Sequence, residues 1–331
     1  MGELPVIDVA PLRAGGPMAD AVVRRLDAAC RTTGFFYIVG HGVDAALQAR
    51  VEALARRFFA LPEDEKAAIA MERGGPAWRG WFPLGGELTS GVPDGKEGLY
   101  FGAELGPDHP RVAAGVPLHG ANLFPERPPG LRSAVLAHLD AMTGLGHLLA
   151  GGLGRALGLG ADWFAAHLTA DPTVLFRIFR YPPAPAEEGA GGWGVAEHTD
   201  YGLLTMVRQD TTGGLEVRTP QGWVDAAPVP GSFVCNLGDM LERLTGGLYR
   251  STPHRVRPGA GPGDRLSTAF FFDPGWDAEV APLPLGPAVA APAPPRWDGA
   301  DVLAGGGTYG EYLLAKVAKV FPALGDRMLG P

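Results

Sequence analysis

Residues 198–209 read His-Thr-Asp-Tyr-Gly-Leu-Leu-Thr-Met-Val-Arg-Gln: two potential metal ligands, a glycine, and a run of β-type residues. In an extended segment alternate side chains share a side, so His198 and Asp200 can reach the same ion. The run that follows, 203–209, has counterparts at 174–181, 215–218, 232–237 and 265–272. All are rich in Val, Phe, Thr and Leu and divided by clusters of Gly, Pro and Asp. That spacing predicts an antiparallel sandwich or barrel rather than βαβ units.

Upstream the pattern is mixed. Residues 4–9 form a short β-type run, and 34–43 an aromatic and β-branched strand that ends in glycines. A helix is expected over 19–32, with Val22, Val23, Leu26 and Cys30 on one face. Asp44 can cap another, in which Leu47, Val51, Leu54 and Phe58 recur at helical spacing. Pro62 starts a short helix with acidic residues in its first turn. Residues 77–129 show no regular pattern, and 131–157 fit a long helix with Val135, His138, Met142, Leu145 and Leu149 on one face. Near the end, Thr308 and Glu311 form a capping box for a helix over 308–321, lined by Leu313, Val317 and Val320. The expected organisation is a mixed helical region over 1–170, a β core over 171–280, and an extended crossing with a closing helix over 281–331. The crossing follows from the prolines at 282–295, since proline fixes φ and removes a ladder donor.

Composition narrows the function. The chain has 331 residues, 46% of them hydrophobic and 19% charged, enough for a sizeable core. The 50 glycines and 32 prolines are spread among apolar periodic segments, so they read as turns rather than low complexity. A net charge of −8, without any Lys/Arg-rich run, argues against a nucleic-acid partner. Cys30 and Cys235 lie far apart without metal-type spacing, which suits free thiols in a reduced, cytoplasmic setting. The N-terminus lacks the pattern of a signal peptide, and no apolar run is long enough for a membrane helix.

Without metal-type cysteines, a metal site must come from His and carboxylates. His-x-Asp alone is weak, because a chain of this length can contain one by chance. His254, in Ser251-Thr252-Pro253-His254-Arg255-Val256, lies 56 residues after His198. The strands between them can return it beside the first pair, completing a facial triad with three open positions. Arg265-Leu266-Ser267 strengthens the case. On a strand Arg265 and Ser267 share a face, and a guanidinium beside a hydroxyl makes a clamp for a carboxylate. One strand from the metal, it could grip the far end of a diacid that chelates iron.

The sequence resembles the isopenicillin N synthase-like branch of the Fe(II)/2-oxoglutarate-dependent dioxygenases. The matching stretches are Pro5-Val6-Ile7-Asp8, Gly40-His41-Gly42-Val43, Tyr181-Pro182-Pro183 and His198-Thr199-Asp200-Tyr201-Gly202. Pro230-Gly231-Ser232, Asn236-Leu237-Gly238-Asp239, Ser251 to Val256 and Arg265-Leu266-Ser267 follow in family order. Lys96 to Gly102 and Phe271-Phe272-Asp273-Pro274 look like bacterial members of the branch. The resemblance implies an α+β fold with a double-stranded β-helix (jelly-roll) core and flanking helices. It implies Fe(II) on His198, Asp200 and His254, 2-oxoglutarate held by Arg265, Ser267 and Tyr181, and O2 as oxidant. The reaction would oxidise an unactivated C–H bond of a small molecule by hydroxylation, desaturation or cyclisation, in specialised metabolism. An iron oxidase of the isopenicillin N synthase type, which does not use 2-oxoglutarate, is one alternative; a non-catalytic jelly-roll sensor is another. Phe179-Arg180-Tyr181-Pro182 departs from the Asn-Tyr-Tyr-Pro of many plant members, so the Asn role is absent. The loop over 257–264 is long and glycine-rich.

The remaining polar residues have plainer readings. His41 is structural, and His138 and His147 belong to the long helix. His109, His119 and His167 lack partners at ligand spacing. Asp239 follows a strand and reads as a turn residue. Arg177 and Arg180 alternate with apolar residues, so either a structural ion pair or a substrate contact fits Arg177. Arg79 falls near the region that lines the substrate pocket in relatives.

Overall fold

Strand β1 (Val6–Asp8) pairs in parallel with β2 (Phe35–Val39) across the helix α1 (Gly16–Thr32) in a computed structural model. The structure describes residues 3–183, 192–258, 263–286, 296–322 and 325. Helix α2 (Ala45–Phe59) begins at Asp44, whose carboxylate accepts the Ala46 N–H at 2.8 Å. Strands β3 (Gly80–Phe82) and β4 (Glu97–Gly102) follow, then the long helix α3 (Leu131–Ala156) and β5 (Thr173–Tyr181). The β-rich half continues with β6 (Val195–His198), β7 (Leu204–Gln209), β8 (Leu215–Thr219), β9 (Gly222–Asp225) and β10 (Phe233–Leu237). Helix α4 (Asp239–Leu244), β11 (His254–Val256), β12 (Arg265–Asp273) and the closing helix α5 (Tyr309–Val320) complete the order.

These strands form two sheets that face each other. The major one runs β1-β2-β10-β7-β12-β5-β4-β3, antiparallel except at β1/β2, and the minor one runs β9-β8-β11-β6, antiparallel throughout. Between them lies a cavity lined by residues of both sheets, the open interior of the jelly-roll. Helices cover the far side of the major sheet. Along α3 the predicted apolar face is buried, and His138 packs against Phe176 of β5 with ring centroids 4.7 Å apart. Among the described residues no helix is long and apolar enough to cross a membrane.

The structure adds what periodicity did not reveal. The stretch over 77–129 carries β3 and β4, which extend the major sheet, and a hairpin of Leu88–Thr89 with Val92–Pro93. All six residues of β4 are buried, so covering on both faces erases the alternation that marks a half-exposed strand. Strands β6 and β11 were also unannounced, being only four and three residues long and containing His, Glu and Arg. The closing helix has the expected capping box, with Thr308 and Glu311 bonding each other's backbone. Residues 287–295 of the proline-rich crossing and 259–262 of the glycine-rich loop lie outside the described residues.

One close approach fixes the loop between β6 and β7. A Cβ on Gly202 would lie 1.5 Å from Asp273 Oδ1, the atom that accepts the Leu203 N–H at 2.9 Å. The other oxygen of Asp273 accepts from Tyr309 at the start of α5, 2.7 Å away. One buried carboxyl thus ties the β6–β7 loop, β12 and the closing helix together.

Burial of His138 has a measurable cost in acid. Desolvation, aided by the Arg208 charge, lowers its pKa from 6.5 to about 4. The unfolded chain therefore takes up a proton first, and this residue removes stability as pH falls from about 6.5 toward about 4. In His138→Leu, chemical denaturation should show a smaller loss of stability across that window than in the parent chain. Equal losses would mean that His138 is not buried in neutral form.

Candidate metal centre

His198 ends β6 and His254 begins β11, and the two residues are direct cross-strand partners. The 55 residues between them fold out through β7–β10 and α4 and return, leaving the two ring centroids 4.2 Å apart. Asp200 stands two residues past His198. Its Oδ1 is 3.9 Å from each imidazole Nε2, and the three potential ligand atoms lie within 4.8 Å of one another.

Each ligand is oriented from behind. His198 Nδ1 lies 2.8 Å from the Ala196 carbonyl and His254 Nδ1 lies 3.1 Å from that of Thr252. A carbonyl only accepts, so each Nδ1 donates its proton and each Nε2 turns a lone pair toward the shared point. Asp200 Oδ2 accepts from Thr205 Oγ1 at 2.5 Å and from Asn236 Nδ2 at 2.6 Å, which leaves Oδ1 facing the imidazoles. Burial lowers the pKa of His198, and that of His254 to about 4, so both rings are neutral near pH 7. Burial opposes the charge on Asp200, but His254 and His198, which carry charge only in acid, and the Asn236 and Thr205 bonds outweigh it and lower the carboxyl's pKa below its ordinary value. Two neutral imidazoles and one carboxylate, pre-aimed, fit a divalent first-row metal such as Fe(II).

The three residues expected to clamp a carboxylate lie on the facing sheet. Arg265 is paired in register with Tyr181 of β5, and Ser267 with Gln209 of β7. The Arg265 guanidinium is 4.6 Å from the Tyr181 ring centroid. It donates to Gly213 O at 2.6 Å, Ser267 Oγ at 3.3 Å and Gln209 Oε1 at 3.4 Å. It is only 2% exposed, yet no acid pairs with it among the described residues. A buried guanidinium held by neutral groups alone is prepared for an anion from outside.

Triad and clamp share one cavity of about 530 Å³. Leu313, Lys316 and Val317 bring α5 into its wall. Arg177 also lines it, bonded to Glu87 at 2.6 Å and the Tyr100 hydroxyl at 3.3 Å, with its Nε left without a partner. It is therefore both an ion-pair member and a cavity residue. Arg180 is engaged with Glu97 and Asp264. Arg79 is not brought into this cavity; it is buried behind Tyr100 and lines a separate one.

Several supports escaped the sequence reading. Asn236 had a signal: it is a polar residue within the fully buried strand β10, where it needs a partner. Asp239 is no mere turn residue. It is buried at the start of α4, its N–H donates to Asp200 O at 2.7 Å, and its carboxylate pairs with Arg296 and Lys316. Arg296 also pairs with Glu242 at 3.0 Å and donates to Thr199 Oγ1, between the ligands, at 3.1 Å. Nothing local marks Arg296, because it arrives from a distant part of the chain.

With this geometry in view, the comparisons with known proteins agree. Residues 4–127 match the family described as non-haem dioxygenase in morphine synthesis N-terminal, and residues 172–274 match the 2OG-Fe(II) oxygenase superfamily. A probable iron/ascorbate oxidoreductase of Dictyostelium discoideum is 42% identical, over 99% of this chain and 97% of its own. A homoarginine-6-hydroxylase of Arabidopsis thaliana is 36% identical, over 96% and 98% respectively. A solved structure of a putative 2OG-Fe(II) oxygenase family protein from Caulobacter crescentus superposes with a TM-score of 0.79 at 26% identity, covering 96% of this chain and 99% of that one. The chain belongs to the 2OG-Fe(II) oxygenase superfamily, and it is an oxygenase that works with Fe(II), 2-oxoglutarate and O2.

Proposed function

We propose that His198, Asp200 and His254 hold the iron, and that Arg265, Ser267 and Tyr181 hold the distal carboxylate of 2-oxoglutarate. The product would be a small molecule oxidised at an unactivated C–H bond. The observation that carries this reading is the shared cavity: a pre-aimed His/Asp/His set on one side and a buried, acid-free guanidinium on the other. Fe(II), 2-oxoglutarate and O2 together supply the oxidising power, with succinate and CO2 as by-products.

The protein groups have separate tasks in this scheme. The Nδ1–H bonds to Ala196 and Thr252 keep both imidazoles in the metal-binding tautomer. Thr205 and Asn236 keep Asp200 from rotating its free oxygen away. Arg265 fixes the co-substrate by charge and Ser267 by one hydrogen bond, while the Tyr181 ring supports the guanidinium. Leu313 and Val317 on α5 present apolar surface to the cavity, which keeps water from the reacting centre. Arg177 and Glu87 put charges of both signs on its wall. That suits a polar substrate, and one relative is a homoarginine hydroxylase. Buried thiols at Cys30 and Cys235 are consistent with a cytoplasmic enzyme, and a role in specialised metabolism suits the small cavity.

Three measurements test these assignments. Asn236→Ala should weaken anaerobic Fe(II) binding by roughly 10- to 100-fold, the usual effect of losing a group that orients a ligand. Unchanged affinity would separate Asn236 from the metal. Arg265→Ala should raise the 2-oxoglutarate concentration needed for half-maximal succinate formation by roughly two orders of magnitude, since losing a charge-assisted contact costs about 3 kcal/mol. A normal 2-oxoglutarate requirement in that variant would remove the clamp. A chain ending at Gly299 lacks α5 and should form succinate with little oxidised substrate. An unchanged succinate-to-product ratio in that folded truncation would make α5 a structural brace alone.

A further inference from the structure

A second guanidinium without an acid beside it lies behind the wall of the catalytic cavity. Arg79 is 3% exposed, and its Nη2 donates to the Leu118 carbonyl at 2.8 Å. Its Nε and Nη1 have no hydrogen-bond partner among the described residues. No carboxylate pairs with it there. Glu104, the acid whose field reaches it, is bonded instead to Asn122 at 2.7 Å and Arg132 at 2.9 Å. The position is built in, because a Cβ on Gly102 would lie 2.1 Å from Arg79 Nη2. Burial works against the charge and lowers the pKa to about 10, which still leaves the group protonated at neutral pH.

Arg79 lines a small cavity of about 40 Å³ together with His109, Arg111, His119, Asp171 and Trp276. A single water needs roughly 10–15 Å³ of such space, so this one takes an atomic ion or a few waters and excludes organic acids. His109 Nδ1 accepts the Arg111 N–H at 3.3 Å, which places the proton of its neutral ring on Nε2 as a donor. Arg111 is already balanced by Asp171 and Asp277. Asp171, the one carboxylate of the wall, is 77% exposed and occupied by Arg111. Water could satisfy the N–H groups of Arg79 but would not balance its charge, and a buried unpaired charge is strongly unfavourable.

We infer that this cavity is a binding site for a small monovalent anion of the halide class, held by Arg79 with the His109 ring. The site bears on the catalytic cavity through one side chain. The Arg79 guanidinium lies 5.7 Å from the Tyr100 ring centroid and the cavity-lining Arg177 lies 4.4 Å from the same centroid. An anion at Arg79 steadies the wall that carries Arg177.

Crystals of the full chain, loaded with Fe(II) and 2-oxoglutarate without oxygen and soaked in bromide, test this directly. Anomalous scattering should reveal bromide within hydrogen-bonding distance of Arg79. In solution, the melting temperature should rise by a few degrees as chloride replaces gluconate at constant ionic strength, because a ligand of the folded state stabilises it. Arg79→Met should lose that rise. Water alone in the cavity of bromide-soaked crystals would overturn the inference, as would an equal chloride response in parent and variant. If Arg79→Met does not fold, the bromide map decides.

Discussion

The register between β6 and β11 is the constraint on which the centre depends. Because His198 and His254 are cross-strand partners, their side chains emerge on the same face of the minor sheet. A slip of one residue would turn one imidazole outward and abolish the site. Strands of four and three residues cannot hold a register by length, so it is held from outside. β11 is also paired with β8, where Val217 faces His254. Ser251, three residues before His254, is bonded to both Asp239 and Glu242 at 2.7 Å. The loop entering β11 is thereby fixed to α4, and α4 begins with the residue whose N–H holds the backbone of Asp200.

The two sheets divide the work. The minor sheet supplies the imidazoles, and the major sheet supplies Thr205 and Asn236, which hold Asp200, and the buried guanidinium of Arg265 with its neutral neighbours. A metal held by the proposed triad would therefore join two layers that otherwise meet across a cavity. The C-terminal part locks this arrangement without entering either sheet. Arg296 and Lys316 meet at Asp239, and Tyr309 caps Asp273, so three side chains reach the frame around the metal. Buried ion pairs of this kind add little net stability against their desolvation, but they define geometry well, since breaking one leaves a charge uncompensated.

Much of this was legible in the sequence, for identifiable reasons. The long apolar-periodic helices, the Asp44 cap and the Thr308/Glu311 box depend on local chemistry, and they stand where local rules put them. The residues proposed for the triad and the clamp stood out because they fall in short motifs, His198-Thr199-Asp200, Pro253-His254-Arg255 and Arg265-Leu266-Ser267. What stayed hidden depends on distance. β4 is covered on both faces and so has no alternating signature, and Arg296 acts on a site nearly one hundred residues upstream of it. Asp239 looked like a turn because its partners come from α5 and the crossing. Arg79 lay close to the right region in sequence, yet the fold turns it to the other side of Tyr100.

The central claim is that triad and clamp act together on one chelating co-substrate. It is tested most directly by anaerobic titration of the Fe(II)-loaded chain with 2-oxoglutarate, following the visible charge-transfer absorption of a 2-keto acid chelated to Fe(II). The parent chain loaded with one equivalent of iron should give a saturable band, and no band should form when His254 is replaced by Ala. A band of unchanged intensity and midpoint in the His254→Ala chain would contradict it.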